Sequence, residues 1–200
     1  MSTENQSLLN HKEQQALLDY ARRAIGQTLQ KMNAVQTEPL LNEPVFQEKR
    51  AVFVTLTKKQ TLRGCIGSLA AVESLAASVR RNAVNAAFHD PRFPPLSLQE
   101  LAKVQIEISV LSPPQALPCN DANDLLQQLQ PGVDGLILDG PGGSRATFLP
   151  QVWKQLPQPA DFLAALCHKA GLSADAWKKS GISYQRYRVQ SFKEEGEGRS

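Results

Sequence analysis

The residues best suited to chemistry form one six-residue run, Leu62-Arg63-Gly64-Cys65-Ile66-Gly67. Side chains alternate faces along a strand, so Arg63 and Cys65 are predicted to share one face while the leucine and isoleucine turn to the core. A nearby guanidinium favours the thiolate, which is the reactive form of cysteine. The two glycines lack a Cβ and would let another backbone or a ligand approach closely. The run therefore predicts a binding or reactive site.

Two further residues could manage protons for such a thiol. His89 ends the predicted helix that follows the run, and Glu107 is the only carboxylate of a strongly apolar predicted strand. A nucleophilic cysteine needs an activating partner, which either residue could supply. His89 could equally bind the carbonyls at its helix end, and Glu107 could simply neutralise Arg63. A catalytic set of Cys65, His89 and Glu107 and a purely structural role for each both remain open.

Asp90 and Arg92 flank Pro91 in the loop after that helix. They could form a pair that shapes the loop. They could instead orient a substrate carboxylate or phosphate, because arginine binds such anions through two parallel hydrogen bonds. In the ligand-binding hypothesis, Arg63 and Arg92 hold an anionic group and the two glycines let it reach the backbone.

Hydrophobic periodicity predicts the elements that position these residues. Helices are predicted at about residues 10–31, 72–88, 121–129 and 162–170, with helical turns at 98–101 and 150–153, and strands at 52–57, 62–66, 104–110, 135–139, 145–149 and 184–189. Strands and helices mix without regular βαβ alternation, which favours an α+β fold. The order hairpin, helix, strand occurs both before and after Ser112-Pro113-Pro114, so we expect two related halves.

Composition narrows the functional classes. The 200 residues carry 22 Lys and Arg against 19 Asp and Glu, a net charge of +3 without a basic, aromatic patch, so nucleic-acid binding is not expected. The spacing of the three cysteines and three histidines predicts no disulfide framework, metal site or iron–sulfur cluster, and therefore no such cofactor. No apolar stretch is long enough to span a bilayer, and the polar N-terminus does not resemble a signal peptide. A cytoplasmic protein is expected.

The run and five later segments together resemble the AMMECR family, whose prokaryotic members are called AmmeMemoRadiSam system protein A. The later segments begin at Asp90, Glu107, Asp134, Phe148 and Phe162 and read DPRFPP, EISVLSPP, DGLIL, FLPQVW and FLAALC. The likeness extends from about residue 17 to 192. It implies a single α+β domain at residues 8–192 with a barrel-like mixed sheet, a possible subdomain break near 112–120 and a flexible tail at 193–200.

The resemblance also implies partners, a Memo-type protein and a radical-SAM protein, but no particular reaction. It places a suggested functional site at Arg63, Gly64, Cys65 and Gly67. We therefore expect an accessory protein with a small-molecule or partner-binding cleft around the run. The alternatives are a thiol-dependent enzyme with Cys65 as its nucleophile, and a scaffold in which the run only shapes a strand.

Overall fold

Helices and strands alternate irregularly along residues 8–30 and 39–195, which are the residues that the computed structural model describes. The helices are α1 (His11–Leu29), α2 (Pro44–Gln47), α3 (Leu75–Phe88), α4 (Leu98–Leu101), α5 (Ala122–Gln128) and α6 (Pro159–Lys169). The strands are β1 (Val52–Lys58), β2 (Thr61–Ser68), β3 (Val104–Leu111), β4 (Gln115–Ala116), β5 (Gly135–Asp139), β6 (Arg145–Phe148), β7 (Ser183–Tyr187) and β8 (Val189–Lys193). Short 3-10 turns lie at Pro39–Asn42, Pro141–Gly143, Pro150–Lys154 and Ala176–Lys178.

The first sheet has the strand order β2-β1-β3-β8, and β1 is antiparallel to both of its neighbours. Val52, Val54 and Leu56 alternate with half-buried residues along β1 and are almost fully buried. They share one hydrophobic core with the apolar stripes of α1 and α3. Side chains on one face repeat every second residue along a strand and about every 3.6 residues along a helix. Each of these three elements therefore turns one apolar face to the shared core.

The second sheet has the order β4-β7-β5-β6 and is built in the same way. The hairpin β5–β6 is followed by helix α6 and then by β7, which is antiparallel to β5, as β3 is to β1. Leu136 and Leu138 on β5 share a core with Phe162 on α6, and the Phe162 ring stacks on Trp153 at 3.8 Å between centroids. Both sheets therefore repeat hairpin, helix, strand.

The α+β class is confirmed, but the strands form two open four-stranded sheets instead of a closed barrel. The described residues divide into two compact units, residues 8–30 and 39–111 with 190–195, and residues 112–189. The predicted last strand is two strands, β7 and β8, because the chain breaks regular pairing at Arg188. Helix α3 begins only at Leu75, after the Ser74 N-cap, and leaves Val72 exposed.

The predicted flexible tail is wrong for its first residues. Lys193 belongs to β8, and the Glu194 carboxylate accepts hydrogen bonds from Arg22 Nε and Nη2 at 2.5 Å and from the Ile106 N–H at 2.8 Å. Arg22 also donates to the Leu101 and Val104 carbonyls. Charge-assisted bonds of this kind are the stronger class, so the end of β8 is tied to α1. Residues 196–200 and the predicted last helical residue, Lys31, lie outside the described residues.

Candidate functional site

A β-bulge at Arg63 shapes the six-residue run. Leu56 of β1 lies opposite Gly64, whereas the next residue, Thr57, lies opposite Leu62, so Arg63 has no partner on β1. A bulge resets the alternation of side chains along its strand. Ile66 packs against the core as predicted, but Leu62 is 39% exposed, and Arg63 does not share the face of Cys65. The strict alternation that we expected is corrected at this point.

Arg63 is buried and bound by the protein itself. Its Nε and Nη2 donate to the Glu100 carboxylate at 3.2 and 3.0 Å, and Nη2 also donates to the Pro94 carbonyl at 3.0 Å. The bonds from Arg63, and next the bond from Lys58, lower the pKa of Glu100 to about 2. The carboxylate that neutralises Arg63 is therefore Glu100 on α4, and not Glu107, for which neutralising Arg63 was one of two open alternatives.

The two glycines of the run make close approaches to other parts of the protein. A methyl group on Gly64 would overlap the Ala86 carbonyl oxygen of α3, and one on Gly67 would overlap the ring of Phe53. The missing side chains thus let α3 pack directly on β2 and let an aromatic ring lie across the strand. Protein atoms occupy the space that the ligand-binding hypothesis gave to a ligand.

The outer edge of β2 is covered by the Asp90–Arg92 pair. Strand β2 lies at the edge of its sheet, where backbone groups have no neighbouring strand. The Cys65 N–H donates to Asp90 Oδ2 at 2.8 Å, and the Cys65 carbonyl accepts from Arg92 Nη2 at 3.3 Å. One acidic and one basic side chain therefore supply the donor and acceptor that another strand would supply.

The pair itself is asymmetric. Arg92 Nε and Nη2 donate to the two oxygens of Asp90 at 2.9 and 2.7 Å. The Asp90 side chain is 2% exposed and that of Arg92 is 54% exposed. The bonds from Arg92 hold the pKa of Asp90 well below its usual range, although burial opposes them. A fully buried carboxylate thus fixes the orientation of a guanidinium whose outer edge faces solvent.

The Cys65 thiol is half-buried and lies in a row across three strands. Thr55 of β1 is opposite both Cys65 of β2 and Glu107 of β3. The Thr55 hydroxyl donates to Cys65 Sγ at 3.1 Å. An electrostatic interaction with Cys65 adds to the stronger effect of Asp90 in raising the pKa of Arg92. The cation beside the thiol is therefore Arg92, which corrects the expectation of Arg63.

His89 lies at the end of α3, next to Asp90 in the chain. It is the exposed C-cap residue of α3, and its backbone N–H donates to the Asn85 carbonyl at 2.8 Å. Within residues 8–30 and 39–195, no hydrogen bond links the His89 side chain to Cys65. The catalytic role suggested for His89 therefore stays a prediction, as do those of Cys65 and Glu107.

Sequence reasoning missed Thr55 and Glu100. Thr55 carries no motif, and only the register of β1 against β2 and β3 places it between Cys65 and Glu107. Glu100 had a usable signal, since Ser97 and Glu100 form a capping box at the start of α4. That motif predicts an ordered helical turn at α4, but it does not predict the contact between Glu100 and Arg63.

The described residues contain no group of three His, Cys, Asp or Glu side chains that could hold a metal ion. In the same ranges, no helix combines the length and the apolar character needed to cross a membrane. What the geometry does define is a mixed helix–sheet protein whose first sheet carries a thiol and a hydroxyl, with a guanidinium that a buried carboxylate fixes at the edge of that sheet.

The chain belongs to the AMMECR1 family, whose profile matches residues 18–192. A protein of Methanothermobacter thermautotrophicus is 38% identical over 189 residues, which cover 94% of this chain and 97% of the relative. A protein of Methanocaldococcus jannaschii is 36% identical over 191 residues, covering 94% and 92%. The crystal structure of an uncharacterized protein of Pyrococcus horikoshii matches with a TM-score of 0.78 and 33% identity, covering 94% of each chain.

Proposed function

We propose that the protein is an accessory protein that binds a small anionic molecule beside Cys65, with Arg92 as its principal contact. The observation that carries the proposal is the asymmetry of the Asp90–Arg92 pair, in which the buried carboxylate holds an exposed guanidinium. Arg92 uses Nε and Nη2 for Asp90 and Cys65. Its Nη1 has no acceptor among residues 8–30 and 39–195, and it can donate two hydrogen bonds to an anion.

The charges around the site determine how such a ligand would be recognised. Three cations (Lys58, Arg63 and Arg92) stand against three carboxylates (Asp90, Glu100 and Glu107), and all but Glu107 take part in ion pairs with Glu100 or Asp90. A locally neutral region offers little long-range attraction to an anion. Recognition would therefore depend on directed hydrogen bonds from Arg92, and we expect modest affinity.

A titration with inorganic phosphate at constant ionic strength tests this proposal. We expect saturable changes in the backbone amide NMR signals of Cys65 and Arg92 in the wild-type protein, and their loss in Arg92→Gln. Arg145→Gln is the matched control, because Arg145 is also exposed and paired with an aspartate, Asp139. Equal changes in all three proteins, or none in the wild type, would reject the anion site.

A second candidate function is nucleophilic chemistry at Cys65. It is supported by the hydrogen bond that the Thr55 hydroxyl donates to Sγ and by the electrostatic interaction between Arg92 and Cys65. Hydrogen bonds and a nearby cation both stabilise a thiolate relative to a thiol. Glu107, which lies across Thr55 from the thiol, would be the proton carrier.

Alkylation with iodoacetamide, followed at each cysteine by mass spectrometry, tests the second candidate. We expect Cys65 to be labelled in the native protein faster than Cys119 and Cys167. A Cys65 that is labelled only after unfolding would be a structural thiol.

As an accessory protein, the chain would act with the Memo-type and radical-SAM proteins that the family resemblance implies. Co-purification of the three proteins would test this part of the proposal.

A further inference from the structure

We propose that a cleft between α1, α2 and α3 binds a phosphate monoester of a polar small molecule. In this site Arg80 and Arg81 hold the phosphate, and Asn85 binds the organic part. The cleft has a volume of about 570 Å³, a size typical of small-molecule sites. Its described lining residues include neither Cys65 nor Arg92, so the proposal goes beyond the function proposed above and does not depend on it.

Helix α3 forms one wall of the cleft and is held in place at both its start and its middle. Ser74 caps its first turn. Asn82 Nδ2, on the side of the helix that faces the sheet, donates to the Val52 carbonyl of β1 at 2.9 Å. Functional side chains on such a rigid element keep their geometry. The side chains of α3 that line the cleft are therefore preorganised for a ligand.

The first support is a pair of cations on this wall. Arg80 and Arg81 are the only charged residues of α3, and both line the cleft. Arg80 is exposed and has no acceptor among residues 8–30 and 39–195. Arg81 Nε donates to Glu73 Oε1 at 2.5 Å, and its two Nη groups have no acceptor in the same ranges. Two guanidiniums thus stand against one lining carboxylate, with donors left for an anion.

The charge balance favours a phosphate over a carboxylate. A phosphate monoester carries about two negative charges at pH 7 and three acceptor oxygens. Arg80 offers a full positive charge, whereas the charge of Arg81 is partly neutralised by Glu73. Guanidiniums bind phosphate oxygens through parallel, charge-assisted hydrogen bonds. A dianion can engage both arginines at once, and a carboxylate of one charge would satisfy only one of them fully.

The second support is an amide side chain without a protein partner. Asn85 lies four residues after Arg81 and therefore on the same face of α3. It is half-buried in the lining of the cleft, and the described part of the chain supplies its amide with no hydrogen bond. An amide both donates and accepts, so it suits a hydroxyl or a ring nitrogen. Val84 and Leu41 add apolar surface to the same lining, which a phosphate alone would not use.

The experiment titrates the native protein with AMP and with inorganic phosphate at constant ionic strength and follows backbone amide NMR signals. AMP is the probe because it joins a phosphate monoester to hydroxyls and a heterocycle. We expect saturable changes at Ala77 and Val84, with a lower dissociation constant for AMP than for phosphate. Arg80→Gln should raise both constants about tenfold, as for the loss of a charge-assisted hydrogen bond. Arg188→Gln is the matched control, because it removes the same charge from an exposed arginine of the second unit.

Further variants separate the roles of the residues and the two anion sites. Asn85→Ala should weaken AMP binding and leave phosphate binding unchanged, and equal effects on the two probes would overturn the role of Asn85. Arg92→Gln should leave the changes at Ala77 and Val84 intact. If Arg92→Gln abolishes them, the cleft site is overturned while the Arg92 site stands. Changes that are absent from the wild type, or equal in the wild type and a stably folded Arg80→Gln, would also overturn the cleft site.

Discussion

The hairpins β1–β2 and β5–β6 hold the same place in their two sheets, yet they differ in their second arms. In the second hairpin, four residue pairs run in register, and Ala146 lies on the core side opposite Leu138. In the first, the position opposite Leu56 is Gly64, and a bulge precedes it. The two hairpins therefore share a topology but differ in their second arms. Strand β6 is regular, whereas β2 is bulged, has a glycine where it contacts α3, and carries a thiol.

The outer edges of the two second arms show the same contrast. In β6, Lys169 donates to the Thr147 carbonyl at 3.0 Å. In β2, a cation again donates to an outward carbonyl, that of Cys65, but here an aspartate also accepts from the N–H of the same residue. In the first hairpin the paired acid and base bind the backbone of the edge strand, whereas the pair of the second hairpin, Asp139 and Arg145, joins its two arms. We attribute the specialisation of the first hairpin's second arm to its pair and the bulge together.

The largest effect is expected from giving β2 the residue that β6 carries at the corresponding position. Gly64→Ala would force a methyl group into the Ala86 carbonyl oxygen, and backbone atoms of a packed helix cannot move aside cheaply. We expect a loss of about 3 kcal/mol in the free energy of unfolding, measured by urea denaturation. Gly26→Ala in α1 is the control, because a Cβ there meets only Leu101 Cδ2 at 3.6 Å. A stable Gly64→Ala variant would show that α3 does not pack on β2 as described.

Asp90→Asn should have the next largest effect, because it weakens the cap on Cys65 and leaves Arg92 without its anion. We expect the free energy of unfolding to fall by about 2 kcal/mol, because charged hydrogen bonds to a buried group are lost. The counterpart in the other hairpin is Asp139→Asn, whose side chain is 35% exposed and pairs with the exposed Arg145. That change should cost no more than about 0.5 kcal/mol. Equal losses in the two variants would mean that the two pairs do not differ.

The ion pair inside the bulged arm predicts a pH dependence. Since Arg63, and then Lys58, lower the pKa of Glu100 from 4.5 to about 2, this carboxylate stabilises the folded state above its unfolded pKa. That stability is lost as the pH falls from about 4.5 through about 2. We expect the urea midpoint of the wild type to fall over this window more steeply than that of Glu100→Gln. Glu107→Gln, which leaves the Arg63 pair intact, should keep the wild-type profile.

Periodicity was sufficient for most of the fold, because α1, β1, α3 and β3 each bury one regular face. It failed where a local feature replaced that regularity. A period-two pattern of side chains does not reveal a bulge. Because of the bulge at Arg63, this residue does not share the strand face of Cys65. Thr55 faces Cys65 through the register of β1 against β2, and Glu100 contacts Arg63 from a different element. Hydrophobic periodicity predicts the elements but not these contacts between them. Asp90 and Arg92 could be singled out from the sequence because they flank Pro91, and a proline restricts the backbone of the residue before it.

The smallest effect should come from the turns that close the two hairpins. Lys59 and Gln60 adopt positive φ angles of 50° and 64°, whereas the other turn places Gly142 and Gly143 at 66° and 80°. Because glycine adopts this region without steric cost, Gln60→Gly should stabilise the protein by about 0.5 kcal/mol after the added entropy of the unfolded chain is counted. Gly143→Ala should have the opposite sign, and urea midpoints of both variants measure the difference. If Gln60→Gly lowers the midpoint, the Gln60 side chain must stabilise the bulged hairpin by more than its backbone conformation costs, and the first hairpin would then be specialised through its turn as well.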